Sequence, residues 1–348
     1  MNTERVFFAE GKLRPIWRFL LSIPMVLLAI VVAGALAGFV FAGAGQRGAV
    51  FAAQLFALGL LLAAFKLLTS LLDRRPLGSV GLAFCGRWYL EFGMGLGIGA
   101  LMILSVGALE QLLGMAHFTV SSASPGQFAG WGVGLLVFLL VAAIDEELIF
   151  RGYPFQRLVD ALGGAGRFLV GKVPGLAAFE RLAEALGPAV AVALFSGAFG
   201  LVHLRNPDHT WLSTLNTMLV GVPLAVAYLR TRALWLPVGI HLAWNYVQGC
   251  GLGLPVSGIR MPFSFLRAEV GGSELLTGGP YGPEGGLLAT AVIVAATVYL
   301  SLSRSIYLSR EMRALVFGPA PVAASAAEAV VPREVSTEQA NADQPNLK

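Results

Sequence analysis

Eight apolar runs, most of them about 20 residues long, follow one another along this chain. A helix needs about 20 consecutive apolar residues to cross a bilayer. Only 13% of the residues are charged and 56% are hydrophobic, whereas a soluble domain carries about 25% charge. The pattern predicts an all-α protein, a polytopic membrane bundle of about eight transmembrane helices. The first run is too long for the core of a cleavable signal and lacks a clear cleavage site, so it is expected to remain as a span.

The expected spans are 17–42, 50–72, 89–115, a fourth from 131 into an acidic cluster, 188–203, 212–229, 234–250 and 286–302. Residues 1–16 form a basic N-terminal segment. Residues 117–130 read as a Ser/Gly/Pro loop and 251–285 as a Gly/Pro-rich one. Residues 153–187 mix charge with apolar residues, which predicts an amphipathic interfacial stretch broken at Gly163-Gly164 and Pro174-Gly175. The tail 319–348, rich in Ala, Pro, Glu and Gln, is expected to be disordered.

Eight spans put both termini on one side. All the Lys and Arg residues except Arg47, Arg205, Arg260 and Arg267 then fall on that side, which makes it cytoplasmic. The net charge of +4 is explained by this bias, and no nucleic-acid partner is implied. An Ala/Gly/Arg-rich chain of this kind points to a bacterial inner (plasma) membrane, with the lipid bilayer as its surroundings. Cys85 and Cys250 fit no metal or redox spacing and are expected to pack as small apolar residues.

The stretch Asp145-Glu146-Glu147-Leu148-Ile149-Phe150-Arg151 closes the fourth run. Each charge in a span costs ~2.5–3.5 kcal/mol on insertion scales, so such a cluster marks a function by default. On a helix Glu147 and Arg151 are four apart and can pair, either as support for a site or as a structural salt bridge. Glu146 lies about 140° from Arg151 and is left unpaired, which suits a general base acting on water. Asp145 reads as a solvated or cap-like neighbour. His203 ends the fifth run, four residues after Phe199. In the seventh run His241 and Asn245 share a helical face. They could aim two donors at an oxyanion or form an interhelical hydrogen-bond pair. His209 reads as a loop residue, and His117 has no supporting context.

Together the motifs Glu146-Glu147-Leu148-Ile149-Phe150-Arg151, Phe199-Gly200-Leu201-Val202-His203 and His241-Leu242-Ala243-Trp244-Asn245 resemble the CAAX protease and bacteriocin-processing (CPBP) family of intramembrane glutamic endopeptidases. That family includes the Ras-converting CAAX proteases of eukaryotes. Arg230-Thr231-Arg232-Ala233-Leu234-Trp235-Leu236-Pro237, just before the third motif, is similar as well. The resemblance implies a protease core over 130–250, with 17–129 as transmembrane scaffold and 251–318 as an extracytoplasmic loop and last helix. It implies that Glu146 with His203 activates a water, that His241 and Asn245 stabilise the oxyanion, and that no metal or other cofactor is used. The partner would be a membrane-proximal peptide or protein, prenylated or bacteriocin-like.

Two other readings use the same residues. Glu146, His203 and His241 could be zinc ligands, or the polar residues could line a transport path or hold a structural protein together. The simple span boundaries also place Glu146 and His203 toward opposite membrane faces. Shared chemistry requires the fourth helix to continue through 155–162, leaving the glutamates at mid-depth.

Overall fold

A computed structural model of the chain describes residues 6–9, 11–41, 45–172 and 180–318. Helices stand where all eight spans were expected. They are α1 (Pro15–Val40), α2 (Gly45–Leu68), α3 (Trp88–Leu112), α4 (Pro125–Arg151), α6 (Glu180–Val202), α7 (Trp211–Thr231), α8 (Trp235–Tyr246) and α9 (Leu287–Leu302). Between them lies α5 (Tyr153–Lys172), and after them a short amphipathic α10 (Arg310–Phe317). Among the described residues five helical stretches are long and apolar enough to cross a membrane, while Leu287–Leu302 is apolar but shorter. Only 22% of the most apolar window of α1 is buried, and Leu27, Leu28, Val31 and Phe39 are exposed. Such a surface belongs against acyl chains rather than water. The chain is a polytopic helical bundle.

The tightest contact in the bundle is between α3 and α8. A Cβ on Gly95 would lie 2.4 Å from the carbonyl oxygen of Leu236, and one on Gly99 would lie 2.2 Å from that of Ile240. From the other side, a Cβ on Gly239 would lie 2.5 Å from the carbonyl oxygen of Phe92. Small residues let membrane helices gain dispersion contact where lipid removes the hydrophobic drive to associate. Residues 235–240 of α8 are all buried, so the helix carrying His241 and Asn245 is firmly seated.

The first two turns after the acidic cluster, 153–159, are buried in the bundle, contrary to the interfacial pattern of their mixed composition. Gly152 ends α4 with φ −74° and ψ −140°, and a Cβ there would sit 2.2 Å from the Leu148 carbonyl oxygen. The chain restarts at once as α5. Residues 153–159 are all buried, in a helix packed on α1 and α6. Nor does Gly163-Gly164 break the helix. The α6 backbone comes close there, and a Cβ on Gly187 would fall 2.7 Å from the Gly163 nitrogen. Pro174-Gly175 and the tail from Pro319 lie outside the described residues.

Arg157 of α5 helps build a buried ion cluster that ties α5 to α1. Asp73, just after α2, accepts from Arg18 at 2.5 Å and from Arg157 at 3.3 Å, and Arg157 also reaches Asp160 at 3.3 Å. The expected loop 117–130 is partly ordered. Strand Ala116–Val120 pairs antiparallel with Leu266–Val270, and 125–130 already belong to α4. Cys250 is buried, Cys85 is partly buried, and both are free thiols.

Candidate active site

Helix α4 starts at a capping box in which the Ser124 side chain accepts from the Gln127 N–H and the Gln127 side chain returns the bond to Ser124. From there it runs 27 residues, and the acidic cluster occupies its last two turns. Because α5 carries the burial onward, these charges sit inside the bundle rather than at its rim.

Glu147 and Arg151 form the expected ion pair at 3.0 Å, with side chains 0% and 1% exposed. The second guanidinium nitrogen donates to the Gly221 carbonyl at 3.1 Å, and the guanidinium lies 4.8 Å from the centroid of the Phe199 ring. The same Glu147 oxygen, Oε1, also lies 3.0 Å from His241 Nδ1. Glu147 therefore does not serve Arg151 alone. One carboxylate holds both the arginine and the histidine.

Glu146 is not paired with Arg151. Its Oε2 lies 3.7 Å from His241 Nε2 and has no hydrogen-bond partner among the described residues. The side chain is 35% exposed and opens into a cavity. Asp145 departs from expectation: it is 6% exposed, both oxygens are buried without a partner, and it is neither solvated nor a cap.

His203 begins a single 3-10 turn, His203–Arg205, at the end of α6. Its Nδ1 lies 2.7 Å from the Phe199 carbonyl oxygen. A carbonyl only accepts, so Nδ1 donates, and in the neutral ring the lone pair is then on Nε2. The Phe199 ring lies 4.8 Å from the His203 ring and 6.2 Å from that of His241. Both imidazoles therefore flank one buried ring, which removes the depth conflict left by the simple spans. His209 is exposed in the loop before α7, and His117 is exposed on its strand.

A cavity of about 860 Å³ gathers Glu146, His203, His241 and Asn245 on one wall system. Its apolar lining includes Phe51 of α2 and Trp131, Leu135 and Phe138 of α4. Its polar lining also includes Asn216, Ser257 and Glu284. Glu284 was not singled out from the sequence. It sits in a Gly/Pro-rich loop without periodicity, and only its burial and partners reveal it. Among the described residues no three His, Cys, Asp or Glu side chains are placed to hold a metal ion.

Residues 128–247 match the family model described as type II CAAX prenyl endopeptidase Rce1-like. That segment is similar to the CAAX prenyl endopeptidases. No curated protein and no solved structure matches the chain. The matched segment contains nearly all of α4 and the whole of α5, α6, α7 and α8, and hence all four residues expected to do chemistry. Ser257 and Glu284, which also line the cavity, lie beyond it.

Proposed function

We propose that this protein is a metal-independent intramembrane endopeptidase of the CAAX type, working through a water activated by Glu146. The observation that carries this reading is the convergence of Glu146, His203, His241 and Asn245 on one cavity, with Glu146 the carboxylate left unpartnered beside an imidazole. As the water oxygen attacks the scissile carbonyl carbon, its proton passes to Glu146. The developing oxyanion takes hydrogen bonds from His241 Nε2–H and Asn245 Nδ2–H. The Glu147 carboxylate on Nδ1 supports His241 in the doubly protonated form that this requires. Glu146 then returns its proton to the leaving amine as the C–N bond breaks. His203 Nε2 first orients the water and then takes the proton of the new carboxylic acid, leaving a carboxylate product and an imidazolium that releases its proton to solvent.

The apolar lining of the cavity suits a membrane-proximal peptide with an apolar attachment or segment, such as a prenylated C-terminus or a bacteriocin-like peptide. Residues 130–250 act as the protease core and 17–129 as scaffold, in a bacterial inner membrane with both termini cytoplasmic. Reporter fusions after Ser124 and Ser257 should then read outside, and one after Lys172 inside. The mechanism is tested by comparing the membrane peptidome with and without Glu146→Ala. An unchanged peptide pattern would remove it. A zinc enzyme built on Glu146, His203 and His241 would instead show stoichiometric metal in the purified protein and lose turnover with chelators.

A further inference from the structure

The large cavity follows one face of α4. Trp131, Leu135, Phe138, Ala142 and Glu146 all line it, and their spacing of three to four residues puts them on one side of the helix. At 1.5 Å per residue they span about 22 Å, from the second turn of α4 down to the carboxylate. The rest of the lining comes from the same end of the bundle as Trp131. It includes Val50 and Phe51 in the second turn of α2, Asn206 just after α6, and Ile259 and Arg260 between α8 and α9. Helices α2, α4, α7 and α9 begin at this end, and α6 and α8 finish there. Val50, Trp131, Ile259 and Arg260 are exposed, so this end is a mouth. Past Glu146 the bundle is shut. Glu147, Leu148, Arg151, Tyr153 and Phe155 are fully buried, and among the described residues none between 147 and 198 lines the cavity.

The opposite end is tied off by two arginine clamps, and neither borders the cavity. One is the cluster of Arg18, Asp73 and Arg157. In the other, Arg230 at the end of α7 donates to the carbonyls of Leu300, Ser301, Ser303 and Ile306, at and beyond the end of α9. Arg18, Arg157 and Arg230 all fall on the side of the sequence rich in Lys and Arg. Three of the four exceptions to that bias lie at the mouth end: Arg205 in the turn after α6, Arg260 on the rim, and Arg267 on the strand Leu266–Val270. Basic residues accumulate on the cytoplasmic side, so the shut end faces the cytoplasm and the mouth faces away from it. We propose that the active-site cavity opens to the extracytoplasmic face alone, and that the substrate is an exported peptide or the outward-facing segment of a membrane protein. The inference rests on the peptidase reading and the orientation given above, and it chooses between substrates that the apolar lining suits equally. A prenylated C-terminus presented in the cytoplasm would meet the shut end. A bacteriocin-like peptide outside the membrane would meet the mouth, and the water for hydrolysis would enter with it.

The test is thiol labelling of the full-length protein from each side of the membrane. Cys85 and Cys250 are its only cysteines, and replacing both with Ala gives a thiol-free chain into which one cysteine is returned at a time. Ile259→Cys marks the rim. Ala142→Cys marks the interior, one helical turn from Glu146. Tyr307→Cys, exposed between α9 and α10, marks the shut end. A membrane-impermeant cationic methanethiosulfonate is added to spheroplasts and, separately, to inverted membrane vesicles. Ile259→Cys and Ala142→Cys should be modified in spheroplasts and lose that modification in inverted vesicles, with Tyr307→Cys the reverse. Gln54→Cys, which lines the cavity from α2, takes the place of Ala142→Cys if that variant does not fold. An interior cysteine labelled from inverted vesicles, or from neither side, overturns the inference, and so does an Ile259→Cys that reacts only in inverted vesicles. Labelling needs no turnover, so its outcome is independent of the peptidase reading. That reading is judged by the peptides of cytoplasm, periplasm and medium in cells carrying the wild-type chain or Glu146→Gln, which need no cysteine variant. No difference in any compartment removes the peptidase. Differences in the cytoplasm alone keep the peptidase and overturn the outward-facing mouth, and differences confined to periplasm and medium support both.

Discussion

Asp73 and Glu147 are both buried carboxylates that hold buried arginines, yet they sit in different kinds of place. Asp73 is shared by two guanidinia, Arg18 and Arg157, from α1 and α5, and none of the three lines the large cavity. Glu147 is shared by one guanidinium and one imidazole, Arg151 and His241. The next residue, Glu146, presents an unpartnered oxygen beside that imidazole at the cavity wall. Buried charge alone therefore does not mark a site. What distinguishes the Glu147 cluster is a titratable partner and an unsatisfied group, both facing space that a substrate could enter.

The contrast can be broken by substitution. Glu146→Gln, at the cavity, should lower kcat on the order of 10²–10⁴-fold with the fold intact, read as turnover per folded molecule. A variant near wild-type turnover would reduce the two clusters to the same structural kind. Glu147→Ala strands Arg151 and removes the acceptor of His241 Nδ1. It should cost about 3–5 kcal/mol of stability and also lower kcat in whatever fraction folds. Asp73→Ala strands Arg18 and Arg157 and should cost a similar ~3–5 kcal/mol, but its folded fraction should turn over normally. Thermal unfolding in detergent together with active-site titration separates the two. If Asp73→Ala lowers kcat per folded molecule as much as Glu147→Ala does, the partition drawn here is wrong. Phe199→Leu is the mildest change. It replaces the ring between both imidazoles and under Arg151, and should cost about 1–2 kcal/mol from lost cation–π and aromatic contact, with a several-fold loss of kcat. A wild-type pH profile and turnover would show that the ring does not position the histidines.

The helices were legible because each is a long apolar run, a signal repeated over about 20 residues. Glu147–Arg151 and His241–Asn245 were legible because spacing on one helix is enough to predict a shared face. What lay hidden depends on contacts between distant parts of the chain. The bond from His241 to Glu147 joins residues 94 apart in sequence, and neither helix alone indicates it. Asp145 looked solvated because nothing local reveals that α5 resumes immediately after Gly152 and keeps its surroundings buried. The strand Ala116–Val120 was read as loop because its partner, Leu266–Val270, lies beyond five further helices. Glu284 sits among glycines and prolines that carry no period.

The backbone contact of α3 with α8 has an effect on how this protein tolerates change. Gly95, Gly99 and Gly239 touch no reacting group, yet a single methyl at any of them would have to displace main-chain atoms of the facing helix. Gly239 is two residues from His241, so a shift made to accommodate that methyl would carry the histidine with it. A deep mutational scan scored on cleavage would show these three glycines to be as intolerant as Glu146. The map of essential positions would then extend along a helix seam far from the cavity. A search for the active site by intolerance alone would return a packing interface together with the catalytic centre. The two would be told apart by protein abundance, which falls for the glycine variants and holds for Glu146→Gln.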